Sequence, residues 1–164
     1  ATGNKSELAQ GYCTLYGDMA GGYTPLGDVY KMEVYALAEV FNRRAVERGG
    51  KPPINKSTMT KPPSAELRPD QVDQDSLPPY DMLDEIVRRW IEEEQSAIRL
   101  VEETGFDSEV VNRMLRMIDL AQFKRDQAAI IPKVSRRAFG RGRPWPVIAR
   151  PGAAPAWRSA TSAS

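Results

Sequence analysis

The sequence predicts the mainly helical portion of an α/β fold, in which the helices border a sheet supplied by other residues. Two observations support this prediction. Three segments repeat apolar residues at three- and four-residue spacing, which is the period of an amphipathic helix, whereas strand-like runs are few. The chain has 164 residues, of which 41% are apolar and 27% charged, so it suits one domain with a buried core.

The start of the chain predicts a short helix followed by glycine-rich loops. Thr2 or Asn4 can cap a helix over residues 6–9, because their side-chain oxygens accept hydrogen bonds from first-turn amides. The pairs Gly17-Asp18 and Gly21-Gly22 then mark places where the backbone turns tightly or approaches a ligand closely.

A longer helix is predicted over residues 28–48, with Asp28 at its start. Its apolar residues recur at helical spacing: Val29, Met32, Ala36, Leu37, Val40 and Phe41. Arginines collect near its end, where cations suit the helix dipole, and Gly49-Gly50 ends it. The proline-rich segment 49–79 that follows is predicted to be a long connection without a continuous helix or a central strand.

Two further helices are predicted over residues 79–95 and 108–128, the second beginning at Asp107 or Ser108. Their apolar stripes are Met82, Leu83, Ile86 and Trp90 in one, and Val110, Val111, Met114, Leu115 and Ile118 in the other. The stripes, which include Ile86, Trp90, Met114 and Ile118, hold more apolar surface than part of a sheet covers, and this predicts either self-association or marginal stability.

The last part of the chain is predicted to be a short basic strand or an extended arm over residues 132–150. From Pro151 the composition turns to alanine, serine, proline and glycine, which predicts a disordered tail over 151–164. The domain is therefore expected to span residues 1–150.

Composition excludes several classes of function. The chain has no histidine, so Ser-His and Cys-His nucleophiles and histidine metal sites are excluded within it. Any metal must be held by oxygens, which favours Mg²⁺ with carboxylates and phosphates. The single Cys13 cannot form an internal disulfide and suits a small apolar filler in a reducing cytoplasm. A net charge of +1 gives no general attraction to nucleic acid, and no apolar run is long enough to span a bilayer.

Three blocks of sequence carry a more specific signal. The first comprises ATGNKSE at 1–7, GYCTLYGD at 11–18 and PLGDVYK at 25–31; the second comprises KPPSAELR at 61–68 and DSLPPYD at 75–81; the third comprises FKRDQ at 123–127 and PKVSRRAFGR at 132–141. Together they resemble the NAD⁺ synthetases, most closely the synthetase domain of the bacterial glutamine-dependent enzymes. The resemblance covers roughly residues 1–148.

The resemblance implies a Rossmann-like domain of the ATP-pyrophosphatase type (adenine nucleotide alpha hydrolase-like), of which this chain is the C-terminal portion. It implies that ATP adenylates the carboxylate of deamido-NAD⁺ with release of pyrophosphate, and that ammonia then displaces AMP to give NAD⁺. It further implies Mg²⁺ as cofactor, ammonia delivered from glutamine by an upstream glutaminase domain, and a homo-oligomer.

Individual roles follow from the matched positions. The resemblance assigns ATP binding to Thr2, Lys31 and Ser64, and deamido-NAD⁺ binding to Glu7 and Lys124, with Glu7 also a candidate ligand of Mg²⁺. Asp18 is expected to face the same site without an assigned role. A lysine in the first turn of a helix opposes the helix dipole, which favours a nearby anionic ligand.

Each of these residues also has a plainer interpretation. The segment 1–7 suits a helix cap with a solvated glutamate, Lys31 a solvated helix residue, Ser64 a proline-rich surface turn, and Lys124 a cation at a helix end.

The sequence departs from the family pattern in several respects. The Ser-Gly-Gly-x-Asp-Ser loop that binds pyrophosphate is absent from it, as is a glutaminase domain with its cysteine nucleophile. Both are expected upstream, so the chain is predicted to be an incomplete part of the enzyme and inactive in isolation. Leu15 stands where some ammonia-using members have lysine, which favours the glutamine-dependent branch.

Two other functions stay open from the sequence. One is a non-catalytic fragment that retains only dimerisation helices and part of a nucleotide-binding surface. The other is a nucleic-acid binder built from the basic cluster Lys133, Arg136, Arg137, Arg141 and Arg143 with Trp145.

Overall fold

The computed structural model describes residues 1–61 and 77–140. Those residues form helices and no strand, and Tyr23 and Ile130 form an isolated parallel bridge. The helices are α1 Lys5–Gln10, α2 Lys31–Glu47, α3 Lys56–Thr60, α4 Tyr80–Ile91, α5 Ala97–Thr104, α6 Ser108–Leu120 and α7 Gln122–Arg125. The mainly helical character predicted for the chain is therefore confirmed for the part that the structure describes.

Helix α1 is short, and its two ends explain why it forms. Asn4 Oδ1 accepts the Glu7 amide at 3.0 Å, and Glu7 Oε2 accepts the Asn4 amide at 3.1 Å, so the cap is Asn4 rather than Thr2. At the other end Gly11 has a φ of 72°, and a Cβ there would lie 2.9 Å from the Cβ of Ala121. Glycine is required at this position both by its backbone conformation and by the close approach.

The core lies where α4 and α6 pack on each other and on α1 and α5. Among its most buried side chains are Leu8, Tyr30, Leu83, Ile86, Val87, Ile91, Leu100, Val111, Met114 and Ile118. The predicted stripes of α4 and α6 therefore face the interior, as their spacing indicated. The prediction that these stripes are left over for self-association is wrong, because Ile86, Met114 and Ile118 are buried within the chain itself and Trp90 packs against the same core.

Helix α2 differs from the other long helices because none of its residues is buried. The apolar stripe predicted for it is present, but Phe41 is 60% exposed and Leu37 40% exposed. The helix begins at Lys31 rather than at Asp28, because the Asp28 carboxylate accepts the backbone amides of Val134 and Ser135 instead of capping it. The predicted end is confirmed, since the amides of Gly49 and Gly50 bond back to the last turn.

Other element boundaries also differ from the prediction. The predicted connection 49–79 contains α3. The segment just before α3 is held against α2 by Asn42, which forms two hydrogen bonds of 2.9 Å with the backbone of Ile54. The helix predicted over 79–95 ends at Ile91, and α5 follows it unpredicted, with Ser96 as its cap. The helix predicted over 108–128 breaks at Ala121, although its cap, Asp107, is one of the two predicted.

Residues 62–76 and 141–164 lie outside the described residues. The strand or arm predicted through Trp145, the tail predicted over 151–164 and the end of the domain at residue 150 therefore stay predictions.

Candidate functional site

Glu7 and Lys31, which the sequence assigned to the same catalytic centre, are in direct contact. Glu7 Oε1 lies 2.9 Å from Lys31 Nζ, and both side chains are mostly buried, with 19% and 16% exposure. The ammonium also lies 5.5 Å from the ring centre of Tyr80 and 5.7 Å from that of Tyr35, within range of a cation–π interaction. The plain interpretation of Lys31 as a solvated helix residue is therefore wrong in this structure.

The backbone around Lys31 is held by a serine and an aspartate that the sequence analysis did not single out. The Lys31 amide donates to Ser6 Oγ and the Met32 amide to Asp84 Oδ2, each at 2.9 Å, and the Ser6 hydroxyl donates to Asp84 Oδ1. Burial raises the pKa of Asp84 to about 6, although the hydrogen bonds from Ser6 and Met32 oppose that rise. These contacts join α1, α2 and α4 immediately beside Glu7.

A second buried network lies around Lys5, which is fully inaccessible to solvent. Its ammonium lies 2.9 Å from Asp28 Oδ1 and 2.7 Å from Glu92 Oε1, and it donates to Ser135 Oγ and the Arg137 carbonyl at 2.7 and 2.9 Å. Burial alone raises the pKa of the Asp28 carboxyl, but hydrogen bonds from Ser135, Lys5 and Val134 outweigh it and leave the pKa lowered. This network ties the segment around residue 135 to the start of α1.

Lys124 is anchored at the opposite end of α1 from Glu7. Its ammonium donates to the carbonyls of Gly11 at 2.6 Å and Cys13 at 2.8 Å, in the loop that leaves the helix. Burial raises the pKa of the Cys13 thiol, the positive charge of Lys124 lowers it, and the negative charges of Asp18 and Glu7 raise it. The thiol therefore lies among the charged residues that the sequence placed at the site, and Cys13 is buried as its role of filler requires.

Arg125, next to Lys124, is buried against the end of α1. Its guanidinium donates to the carbonyls of Leu8 and Ala9 at 3.1 and 2.9 Å and to that of Ile118, and it lies 4.8 Å from the ring centre of Phe139. Carbonyls in the last turn of a helix lack intrahelical partners, so a cation placed there satisfies them and suits the dipole. The break at Ala121 turns α7 so that both basic residues meet α1.

The two remaining ATP-binding candidates are less constrained. Thr2 is exposed, and its backbone amide donates to the Asp18 carbonyl at 3.0 Å. Ser64 lies outside the described residues. The structure thus brings Glu7 and Lys31 into contact and places Lys124 at the other end of the same six-residue helix.

The described residues contain no group of three or more acidic or cysteine side chains arranged to hold a metal. Glu7 is the candidate ligand, and one of its oxygens already faces a cation, the ammonium of Lys31, while the other accepts the Asn4 amide. A groove of about 770 Å³ is lined by Arg125, Ile130 and Phe139 among others, and none of the described residues assigned to ATP or deamido-NAD⁺ lines it.

The basic cluster proposed for nucleic-acid binding is only partly described. Within the described residues, Arg137 forms an ion pair with Glu94 and its carbonyl accepts Lys5, so it is engaged inside the chain. In the same part of the chain, every helix is too short or too polar to cross a membrane.

Comparison with known proteins gives a consistent result. The family model described as NAD synthase matches residues 1–128. The "Glutamine-dependent NAD(+) synthetase" of Acinetobacter baylyi is 53% identical over 148 residues, which cover 90% of this chain and 26% of that protein. The protein of the same name from Thermotoga maritima is 48% identical over 149 residues, covering 91% of this chain and 25% of that protein.

A solved structure is also similar in sequence. It is the glutamine-dependent NAD⁺ synthetase from Acinetobacter baumannii in complex with ADP, which is 41% identical, with a TM-score of 0.43, over 88% of this chain and 24% of that one. The chain therefore spans about a quarter of the length of the relatives it matches.

Proposed function

This chain belongs to the NAD synthase family, and we propose that it supplies part of the site at which deamido-NAD⁺ is converted to NAD⁺ with ATP and ammonia. One observation carries the proposal: Glu7 and Lys31, which lie in two different segments of the first sequence block and are assigned to the two substrates, meet at 2.9 Å in a mostly buried position. The names of its relatives, glutamine-dependent NAD(+) synthetases, support the same reaction.

The proposed chemistry proceeds in two steps that conserve atoms and charge. A carboxylate oxygen of deamido-NAD⁺ attacks the α-phosphorus of ATP, the bond to the β-phosphate oxygen breaks, and pyrophosphate leaves. The lone pair of ammonia then attacks the carbonyl carbon, the bond to AMP breaks, and a proton is lost to give the amide. The protein's task is to position the reactants and to neutralise phosphate charge as it develops.

Each residue has a place in this scheme. Lys31 contacts the ATP phosphates, Thr2 and Ser64 contribute further ATP contacts, and Glu7 and Lys124 hold deamido-NAD⁺. Mg²⁺ is usually bound by one or two carboxylates together with substrate phosphates, where it neutralises phosphate charge. Glu7 fits this pattern, because its Oε1 already faces a positive charge in the ammonium of Lys31.

The remainder of the proposal concerns what surrounds the site. The helices form the C-terminal portion of a Rossmann-like domain of the ATP-pyrophosphatase type, whose sheet and pyrophosphate loop come from other residues. Ammonia is delivered from glutamine by a glutaminase domain. The exposed apolar side chains of α2, including Phe41, support a further contact with another domain or a second copy of the chain.

The test compares this chain alone with the chain joined to an upstream segment that carries the Ser-Gly-Gly-x-Asp-Ser loop. Both are supplied with deamido-NAD⁺, ATP, Mg²⁺ and ammonium, and NAD⁺, AMP and pyrophosphate are quantified. We expect equal amounts of the three products from the completed enzyme and none from the chain alone. Products from neither would favour a non-catalytic role, and rapid turnover by the chain alone would contradict the divided site.

A further inference from the structure

The first turn of α2 is held by side chains from two other helices. First-turn amides of a helix have no intrahelical carbonyl to bond, and here those of Lys31 and Met32 donate to Ser6 Oγ of α1 and Asp84 Oδ2 of α4, both at 2.9 Å. No residue of α2 itself is buried, whereas Tyr30, directly before it, is buried in the core. Tyr30 therefore anchors the chain where it enters α2, and the contacts from Ser6 and Asp84 hold the first turn that follows.

Asp84 is the common acceptor of this arrangement. Its Oδ2 accepts the Met32 amide of α2 directly. Its Oδ1 accepts the hydroxyl of Ser6, the serine whose Oγ accepts the Lys31 amide. Asp84 and Ser6 are 4% and 0% exposed, so water does not readily replace either contact. The carboxylate acts on α2 as a capping side chain supplied from another helix.

Helix α4 also contacts the other end of the Lys31 side chain. Tyr80 lies one turn before Asp84 on α4, and its ring centre is 5.5 Å from Lys31 Nζ. Thus α4 holds the backbone next to Lys31 through Asp84 and faces its ammonium through Tyr80. This double contact directs the ammonium toward Glu7, 2.9 Å away.

We propose that Asp84 is a positioning residue for ATP binding: through Ser6 and the Met32 amide it fixes the start of α2, and so places the ammonium of Lys31 where ATP phosphates are bound. The inference rests on the proposed function insofar as ATP is the ligand of Lys31. Asp84 does not itself touch the substrate.

An ionised carboxylate is an unfavourable choice for a purely structural role at this position. Burial raises the pKa of Asp84 to about 6, and the negative charge of Glu33 adds to that rise. Hydrogen bonds from Ser6 and Met32 and the positive charge of Arg88 oppose it. At neutral pH the folded chain holds this group ionised at a cost to its stability. Perturbed pKa values cluster at functional sites, so the shift agrees with the role that the geometry of Asp84 indicates.

The first experiment measures hydrogen exchange in this chain with Asp84→Asn, which keeps the shape of the side chain and removes its charge. The amides of Lys31 and Met32 should exchange about tenfold faster or more, because an acceptor of the first turn is weakened. Amides in the middle of α6 should be unchanged. Leu100→Val is the control for general destabilisation, because Leu100 lies in α5, which packs mainly on α4 and α6.

Two results of this experiment would overturn the proposal. One is unchanged exchange at the start of α2 in Asp84→Asn. The other is a uniform increase over all helices that Leu100→Val reproduces. Because hydrogen exchange needs no substrate, it decides the positioning role even if the chain has another ligand.

The second experiment measures kinetics in the completed enzyme. Asp84→Asn should raise the KM for ATP about tenfold, leave the KM for deamido-NAD⁺ unchanged, and leave the thermal midpoint unchanged or higher. Ser6→Ala should act in the same direction, and the double variant should be no worse than the more severe single one, because both act through one chain of contacts. A lower turnover rate with unchanged KM values would indicate lost active protein and would refute positioning.

The two experiments separate this inference from the proposed function. If the unsubstituted completed enzyme makes no NAD⁺, the proposed function fails, while the exchange result still stands for or against Asp84. If the enzyme is active and Asp84→Asn leaves the KM for ATP unchanged, the inference fails while the function stands.

Discussion

Replacing Lys5 with methionine should destabilise the chain strongly, because the charged side chain of Lys5 is fully buried. Methionine keeps an unbranched chain of similar length and removes the ammonium that lies between Asp28 and Glu92 at 2.9 and 2.7 Å. The buried carboxylate of Asp28 and the mostly buried carboxylate of Glu92 then lose the cation they share. Removing one partner of a buried ion pair typically costs about 3–5 kcal/mol, because the remaining charge is left uncompensated.

The structure favours the lower end of that range. Asp28 keeps the amides of Val134 and Ser135 and the Ser135 hydroxyl, and Glu92 keeps the hydroxyl of Tyr30. We therefore expect a loss of about 3 kcal/mol. Since the urea dependence of a small protein is about 1–3 kcal/mol per molar, the unfolding midpoint should fall by about 1–3 M.

The assay is urea unfolding at pH 7, followed by circular dichroism. Arg43→Ala is the matched control, because Arg43 and Glu47 form an exposed pair at 3.9 Å and such pairs contribute about 0–1 kcal/mol. The pKa values of Asp28 and Glu92 are both lowered in the folded chain, so their stabilisation is present above pH ~4 and is lost as the pH falls through the folded values. The penalty of Lys5→Met should therefore shrink in acid, and a loss no larger than that of Arg43→Ala would refute the reasoning.

Three further predictions follow from the site and its supports. In the completed enzyme, Lys31→Ala should weaken ATP use roughly ten- to a hundred-fold, and Lys124→Ala should raise the KM for deamido-NAD⁺ alone. Arg48→Ala is the control for loss of a positive charge, and equal kinetics for Lys31→Ala and Arg48→Ala would contradict the assignment. Gly11→Ala should destabilise the chain by about 1–3 kcal/mol in thermal unfolding, since alanine there meets both a φ of 72° and a contact of 2.9 Å. Because the pKa of Asp84 is raised, the free energy of unfolding should fall by about 3 kcal/mol as the pH rises from about 4 through 6. Asp84→Asn should remove that fall, and the same pH dependence of stability in both chains would contradict the prediction.

Local sequence patterns correctly predicted those contacts that lie within one turn of a helix, and those helix faces that are buried. Asn4 and Asp107 cap their helices through amides two or three residues away, so the residue type and its position predict the bond. The apolar stripes of α4 and α6 likewise predicted which faces are buried. The stripe of α2 shows the limit of this reasoning, because an amphipathic pattern does not say whether its partner lies among the described residues.

The supports of the site could not be predicted in this way. Lys5 pairs with Glu92 across 87 positions, Ser6 with Asp84 across 78, and Arg125 with Leu8 across 117. Charged and polar residues are usually exposed, so nothing in the local pattern marks these as buried. The assignment of Glu7 and Lys31 came from resemblance to a family, and the structure adds that the two side chains touch.

The most direct test of the central claim follows the oxygen atoms of the deamido-NAD⁺ carboxylate. The completed enzyme is given deamido-NAD⁺ labelled with heavy oxygen at both carboxylate positions, together with ATP, Mg²⁺ and ammonium, and the products are analysed by mass spectrometry. Adenylation of the carboxylate predicts that one labelled oxygen appears in AMP for each NAD⁺ formed, and that Lys31→Ala slows this transfer. Unlabelled AMP, or label found in inorganic phosphate beside ADP, would contradict the account.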